Sequence, residues 1–188
     1  MPAAANAGGA GSPDDLELLH QVASGDGAAF GLLAERHGPR LRSVLLRLGL
    51  NADEAEEALQ ETLIRIWRGS ARFQDRSSVS TWAYRIALNQ GIDLRRRAAR
   101  RRWLWPEPVD GDHEPEESWE RRVEAAAVRD AVVRLPPRLR LVVVLREYED
   151  LSYQAIGETL RIPIGTVMSR LHAARKLLRK ELAPLLRP

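Results

Sequence analysis

The stretch that most constrains this 188-residue chain is one that cannot fold by burial. Residues 103–120 hold seven carboxylates (Glu107, Asp110, Asp112, Glu114, Glu116, Glu117 and Glu120), no Lys or Arg, and Pro106, Pro108 and Pro115. Like charges repel and proline breaks a helix, so only the end of this stretch can start one. It divides the chain into two segments, each needing its own apolar core. Two small domains joined by an acidic flexible linker are therefore expected, over 13–102 and 121–188. Residues 1–12 are mostly Ala, Gly, Asn and Ser and predict a disordered tail.

Both segments read as helical. Ser12-Pro13-Asp14-Asp15 suits a helix N-terminus, with Leu16, Leu19 and Val22 following and Gly25 as the stop. Asp26 caps the next element, which continues past Gly38-Pro39 as one kinked helix or two in series. Asn51 and Glu54 form a capping box for a third, with Ala55, Leu59, Leu63, Ile66 and Trp67 as its stripe. A loop over about 69–78 precedes a fourth helix, about 80–101, ending in Arg95, Arg96, Arg97, Arg100, Arg101 and Arg102. Beyond the linker, helices are expected over about 119–135, 137–148, 152–160 and 165–182. Val142 to Val144 has β propensity, but its flanks fit a helix. The fold class is all-α, with a 44% hydrophobic composition and only 5% aromatics making the core mostly aliphatic.

Composition excludes several functions. Cys is absent, so there is no disulfide, thiol nucleophile or cysteine metal site. His20, His37, His113 and His172 lack metal-ligand spacing. No nucleophile–base spacing or phosphate loop marks an enzyme, and no cofactor or small-molecule substrate is expected. The longest aliphatic run, Leu141 to Leu145, is far below the ~20 residues of a membrane helix. No signal peptide is expected either, which points to a cytoplasmic protein. The net charge of +3 conceals an uneven layout: 15 basic against 12 acidic residues over 14–102, seven acidic over 103–120, and 14 basic against 7 acidic over 121–188.

Three patches stand out. Leu151 to Gly157, a break at Arg161-Ile162-Pro163, and a second helix from Gly165 have the form of a helix-turn-helix. Its second helix would present Thr166, Met168, Ser169 and His172 to base edges, with Arg170, Arg175, Lys176 and Arg179 toward phosphates. Ile156, Leu160, Val167, Leu171 and Leu178 would face inward. A plain helical hairpin with a solvated basic face is the alternative. The second patch is the Arg cluster, more cations than the helix dipole alone explains. Beside it, Phe73, Trp82 and Tyr84 are either base-stacking aromatics or simply core. The third is Asp53, Glu54, Glu56, Glu57 and Glu61, of which the last two extend the acidic surface past the first turn and suit a basic protein partner.

These residues resemble a family over about residues 14–183. Asp53 to Thr62 looks like the core-polymerase-binding helix of an extracytoplasmic-function (ECF) sigma factor of the bacterial sigma-70 family. Ser80-Thr81-Trp82-Ala83-Tyr84-Arg85-Ile86-Ala87, with Asn89, Asp93, Arg96 and Arg97, is similar to its promoter-melting helix. Leu135-Pro136-Pro137, Leu151-Ser152-Tyr153 and Ile162 to Leu171, with Ala174-Arg175, resemble its minus-thirty-five-binding domain. Gly157 stands where the family usually has Ala, and Met168 where a basic residue is frequent. The chain ends soon after the last helix, so no extra regulatory domain is expected.

The resemblance implies a sigma-2-like helical bundle and a sigma-4-like helix-turn-helix domain, with no catalysis. Core RNA polymerase would be bound by Asp53, Glu56, Glu57, Gln60 and Glu61. The minus-ten element, opened and held as a melted non-template strand, would meet Phe73, Arg76, Ser77, Ser78, Trp82, Tyr84, Arg85, Asn89, Asp93, Arg96 and Arg97. Duplex minus-thirty-five DNA would meet Ser152, Tyr153, Gly165, Thr166, Met168, Ser169, Arg170, His172, Arg175 and Lys176. An anti-sigma factor is the further expected partner, and the acidic linker would thread the polymerase's RNA path. Two rivals stay open: a stand-alone helix-turn-helix regulator, and a sigma-like decoy that sequesters an anti-sigma factor.

Overall fold

The computed structural model describes residues 14–101 and 119–183. The tail 1–12, Ser12-Pro13 and the linker up to residue 118, with Trp103 and Trp105, lie outside the described residues. Helix α1 spans Asp15–Ala23, with Asp14 at its cap position and Asp15 and Glu17 in its first turn. The Asp26 carboxylate accepts from the Ala28 and Ala29 N–H groups and starts α2, Gly27–Arg47. That helix runs unbroken through Pro39. Proline there removes the bond to the Glu35 carbonyl, but both residues are exposed, so water can serve the freed oxygen.

The capping box opens α3, Ala52–Gly69, with Asn51 Oδ1 2.8 Å from the Glu54 N–H and Glu54 Oε2 3.2 Å from the Asn51 N–H. A 3-10 turn, Ser70–Arg72, leads to the loop before α4, Val79–Arg101. Ser78 Oγ accepts from the Thr81 N–H at 3.1 Å, which moves the helix start one residue ahead of Ser80. Gly91 lets α4 approach α2, since a Cβ there would lie 2.9 Å from Leu45 Cδ2.

The second half comprises α5, Trp119–Arg134; α6, Pro137–Val143; α7, Tyr153–Leu160; and α8, Ile164–Leu182. The expected single helix over 137–148 is α6 followed by a π-helical turn, Val144–Tyr148. Val142 to Val144 is thus helical, and no strand occurs among the described residues. Ser152 caps α7 through the Ala155 N–H, and Arg161, left-handed at φ 54°, ends it.

The buried aliphatics form one continuous cluster, from Leu18, Leu41 and Leu45 in the first half to Val142, Leu145, Ile156 and Leu171 in the second. The two halves meet directly, α7 lying on α4. Two polar ties cross this seam. Buried Arg140 donates to the Val132, Leu135 and Leu48 carbonyls, the last at the end of α2 and 2.5 Å away. Arg95 donates to the same Leu48 carbonyl. Burial, helped by the Arg95 charge, pulls Arg140 down to about 10. The Tyr84 hydroxyl donates to the Glu149 carboxylate. Burial raises both groups above their usual ranges, and for Tyr84 the neighbouring carboxylate adds to the rise.

Candidate nucleic-acid and protein interfaces

The first surface lies on α3. Its inner side buries Ala55, Ala58, Leu59 and Ile66, and that fixes which side chains face out. Asp53, Glu56, Glu57 and Gln60 are exposed and Glu61 is partly so, giving an acidic strip. Basic neighbours trim it: Glu61 pairs with Arg65 at 2.7 Å and Glu56 with Arg42 at 3.6 Å. Asp53 and Glu57 make no ion pair among the described residues and are the strip's free charges. Ile64 and Trp67, 43% and 37% exposed, extend it with an apolar end, Trp67 standing edge-to-face on Phe30. Acidic charge beside exposed apolar side chains suits a basic protein surface better than DNA.

The second surface is α4 with the loop before it. Trp82 and Phe73 pack on each other, ring centroids 5.1 Å apart, and both are half-buried against the core. Trp82 also presses on Gly69, where a Cβ would lie 3.0 Å from its ring. Each ring thus serves packing while keeping an exposed edge. Arg76, Ser78, Asn89, Asp93, Arg96 and Arg97 are exposed, whereas Ser77 and Arg85 are half-buried. Arg96 sits 3.6 Å from Asp93, so one phosphate-facing cation has an acidic neighbour. Tyr84 is the exception: only 4% exposed, it faces Glu149 across the seam and not solvent. The side chains of Arg100, Arg101 and Arg102 lie outside the described ones.

The third surface is the helix-turn-helix of α7 and α8. Ile156, Val167 and Leu171 are buried, and Leu160 and Leu178 pack on the core from its edge, as the spacing requires. Ser152, Gly165, Met168, Ser169, His172 and Lys176 are exposed, and Thr166 and Arg170 half-buried. Half-buried Tyr153 takes the Arg146 guanidinium over its ring at 5.3 Å. Arg175 pairs with Glu147 at 2.7 Å, an acceptor that also holds Arg175 above the ordinary arginine range. That leaves the other guanidinium edge open to a backbone phosphate. Among the described residues no group of acidic, His or Cys side chains could hold a metal. Nor is any helix among the described residues long and apolar enough to cross a membrane.

Spacing did not reveal the seam. Arg47, 4.2 Å over the Tyr148 ring, together with Arg140 and Glu149, forms its polar part. The only sequence signal was a charged residue, Arg140, inside the apolar run 139–145.

Known proteins resemble this chain in sequence and fold. The family model described as Sigma-70 region 2 matches residues 33–101, and that described as Sigma-70, region 4 matches 125–178. The RNA polymerase sigma-H factor of Pseudomonas aeruginosa is 34% identical over 185 residues, 92% of this chain and 96% of that protein. The ECF RNA polymerase sigma factor SigW of Bacillus subtilis is 31% identical over 179 residues, 89% of this chain and 96% of that one. In a solved complex with the cytosolic domain of CnrY, CnrH superposes with a TM-score of 0.72 at 26% identity, covering 90% of this chain and 97% of that chain.

Proposed function

The chain belongs to the ECF sigma factors of the sigma-70 family, and we propose that it joins core RNA polymerase and directs it to open and transcribe specific promoters. One observation carries the reading. A single chain holds both an acidic, partly apolar face on α3 and an exposed recognition face on α8. A stand-alone regulator needs only the second, and a decoy needs no basic surface.

Within this reading the functional parts are residues 13–102, the linker 103–120 and residues 121–188. The α3 strip, led by Glu57 with Gln60 and Glu61, docks on a basic surface of the polymerase. The N-terminal residues of α8 enter the major groove, where Thr166, Ser169 and His172 meet base edges and Arg170, Arg175 and Lys176 meet phosphates. The α4 surface holds the minus-ten strand, with Arg96 and Arg97 on phosphates and the exposed edges of Phe73 and Trp82 beside unpaired bases. Tyr84 can join them only once the two halves part. The chain then acts as an initiation factor, lending the polymerase specificity and performing no reaction itself. Its place of work is the cytoplasm, and an anti-sigma factor is its second protein partner.

Run-off transcription from genomic fragments tests this. Core enzyme with the chain should yield discrete transcripts that core alone does not. Unchanged transcription, with promoter duplex bound by the chain alone, would favour the stand-alone regulator.

A further inference from the structure

The seam between the halves forms an open crevice of about 180 Å³. Arg85, Leu88, Asn89 and Ile92 of α4 line one side. Leu141, Thr159, Leu160, Arg161 and Arg170 line the other. Three arginines thus line one crevice that has no carboxylate in its wall. None of the three makes an ion pair or hydrogen bond among the described residues. Several arginines elsewhere in the fold do meet carboxylates: Arg36 and Asp15, Arg65 and Glu61, Arg175 and Glu147. Gathering like charges unpaired around a crevice is unfavourable unless an anion joins them.

We propose that this crevice is a binding site for a diphosphate group, which holds the two halves together when it is occupied. Charge and shape select the ligand. A carboxylate side chain brings one negative charge and two oxygens, leaving two guanidiniums unanswered. A diphosphate brings enough charge and oxygens for three planar forks, which pair with phosphate oxygens two at a time. Asn89 adds a neutral donor through its amide. The volume is below the ~300 Å³ at which sites for whole drug-sized molecules begin, so the diphosphate alone would enter and any organic part would lie outside.

The site exists only while α7 lies on α4, since Arg85 and Asn89 come from one half and Arg161 and Arg170 from the other. A bound diphosphate therefore favours the closed arrangement by its differential affinity. It also occupies Arg170, which the function proposed above gives to DNA, and Arg85 and Asn89, which the family resemblance places on the minus-ten strand, so anion and promoter compete. Anion binding is read on the free chain, and its failure leaves that function standing.

Calorimetric titration of the full chain at fixed ionic strength tests the site, with pyrophosphate, a nucleoside 5′-diphosphate, orthophosphate and sulfate as separate ligands. Pyrophosphate should bind one to one and more tightly than orthophosphate or sulfate. Equal affinity of the nucleotide assigns the free diphosphate; a tighter nucleotide shows that its organic part is also met. Arg161→Asn keeps the left-handed backbone, removes one fork and lies outside the DNA-contacting set. It should weaken pyrophosphate roughly 10–100-fold, the loss expected for charge-assisted hydrogen bonds. Arg129→Gln, an exposed arginine of α5 outside the crevice lining, should change nothing, and circular dichroism checks that both variants fold. Equal affinity in the two variants, or a glutamate-rich peptide bound more tightly than pyrophosphate, would overturn the assignment.

Discussion

Reversing two charges on α3, Glu57→Arg with Glu61→Arg, separates an interaction surface from a stabilising one. Glu57 is exposed and makes no ion pair, so its reversal costs the fold almost nothing. Glu61 pairs with Arg65 one turn on, and both side chains are about half exposed. Such a pair contributes about 0.3–0.5 kcal/mol, and like charges at the same spacing cost a similar amount. The total stays near 1 kcal/mol, which for a chain of this length moves Tm by roughly 2–4 °C. Binding should respond far more strongly. Close charge pairs across an interface couple by at least about 1.5 kcal/mol each, so two reversals should weaken core polymerase binding about 100-fold or more. Fluorescence anisotropy with labelled chain and core enzyme gives the affinity, and thermal circular dichroism gives Tm. Unchanged affinity would refute the surface. A Tm loss well beyond about 5 °C would show that these carboxylates hold the fold instead.

Other perturbations probe separate parts. A Cβ on Gly157 would lie 2.9 Å from the Ile162 carbonyl, inside the turn between α7 and α8. Gly157→Ala should therefore cost roughly 1–3 kcal/mol as that turn shifts, lowering Tm by several degrees in a thermal melt. The hydrogen bond from His37, reinforced by Arg36, lowers the Asp15 pKa below 3.8, so the carboxylate stabilises the fold above that pH and the contribution vanishes as pH falls through the lowered value. The Tm gap between wild type and Asp15→Asn should accordingly begin to narrow near pH 3.8 and close as the pH falls through the lowered value. Replacing Arg96 and Arg97 by Ala should reduce the slope of log K against log salt for the melted strand by roughly one to two units, measured by strand binding to the holoenzyme. An unchanged slope would remove these arginines from the phosphate contacts.

Local signals carried the helices and the outward faces. The Asn51–Glu54 box, the Asp26 and Ser152 caps and the helical spacing of Ala55, Leu59 and Ile66 along α3 are short-range physics, and each holds in the structure. The π-helical turn at Val144–Tyr148 was not legible, because its residues have ordinary helical periodicity and only tertiary packing fixes the wider turn. The Tyr84–Glu149 contact joins residues 65 apart, and no periodicity encodes a meeting between two separately patterned segments. Trp82 illustrates the middle ground. Its four-residue spacing from Ile86 suits core packing and its aromatic ring suits base stacking, and the structure half-buries it against Phe73.

Permanganate footprinting of a promoter found by run-off transcription tests the central claim most directly. If the chain is a sigma factor, thymines near the minus-ten element become reactive only when core polymerase and the chain are both present. The Arg96 and Arg97 double alanine variant should weaken that signal while minus-thirty-five protection persists. Reactivity equal with core alone, or none when holoenzyme has formed on the promoter, would contradict the account.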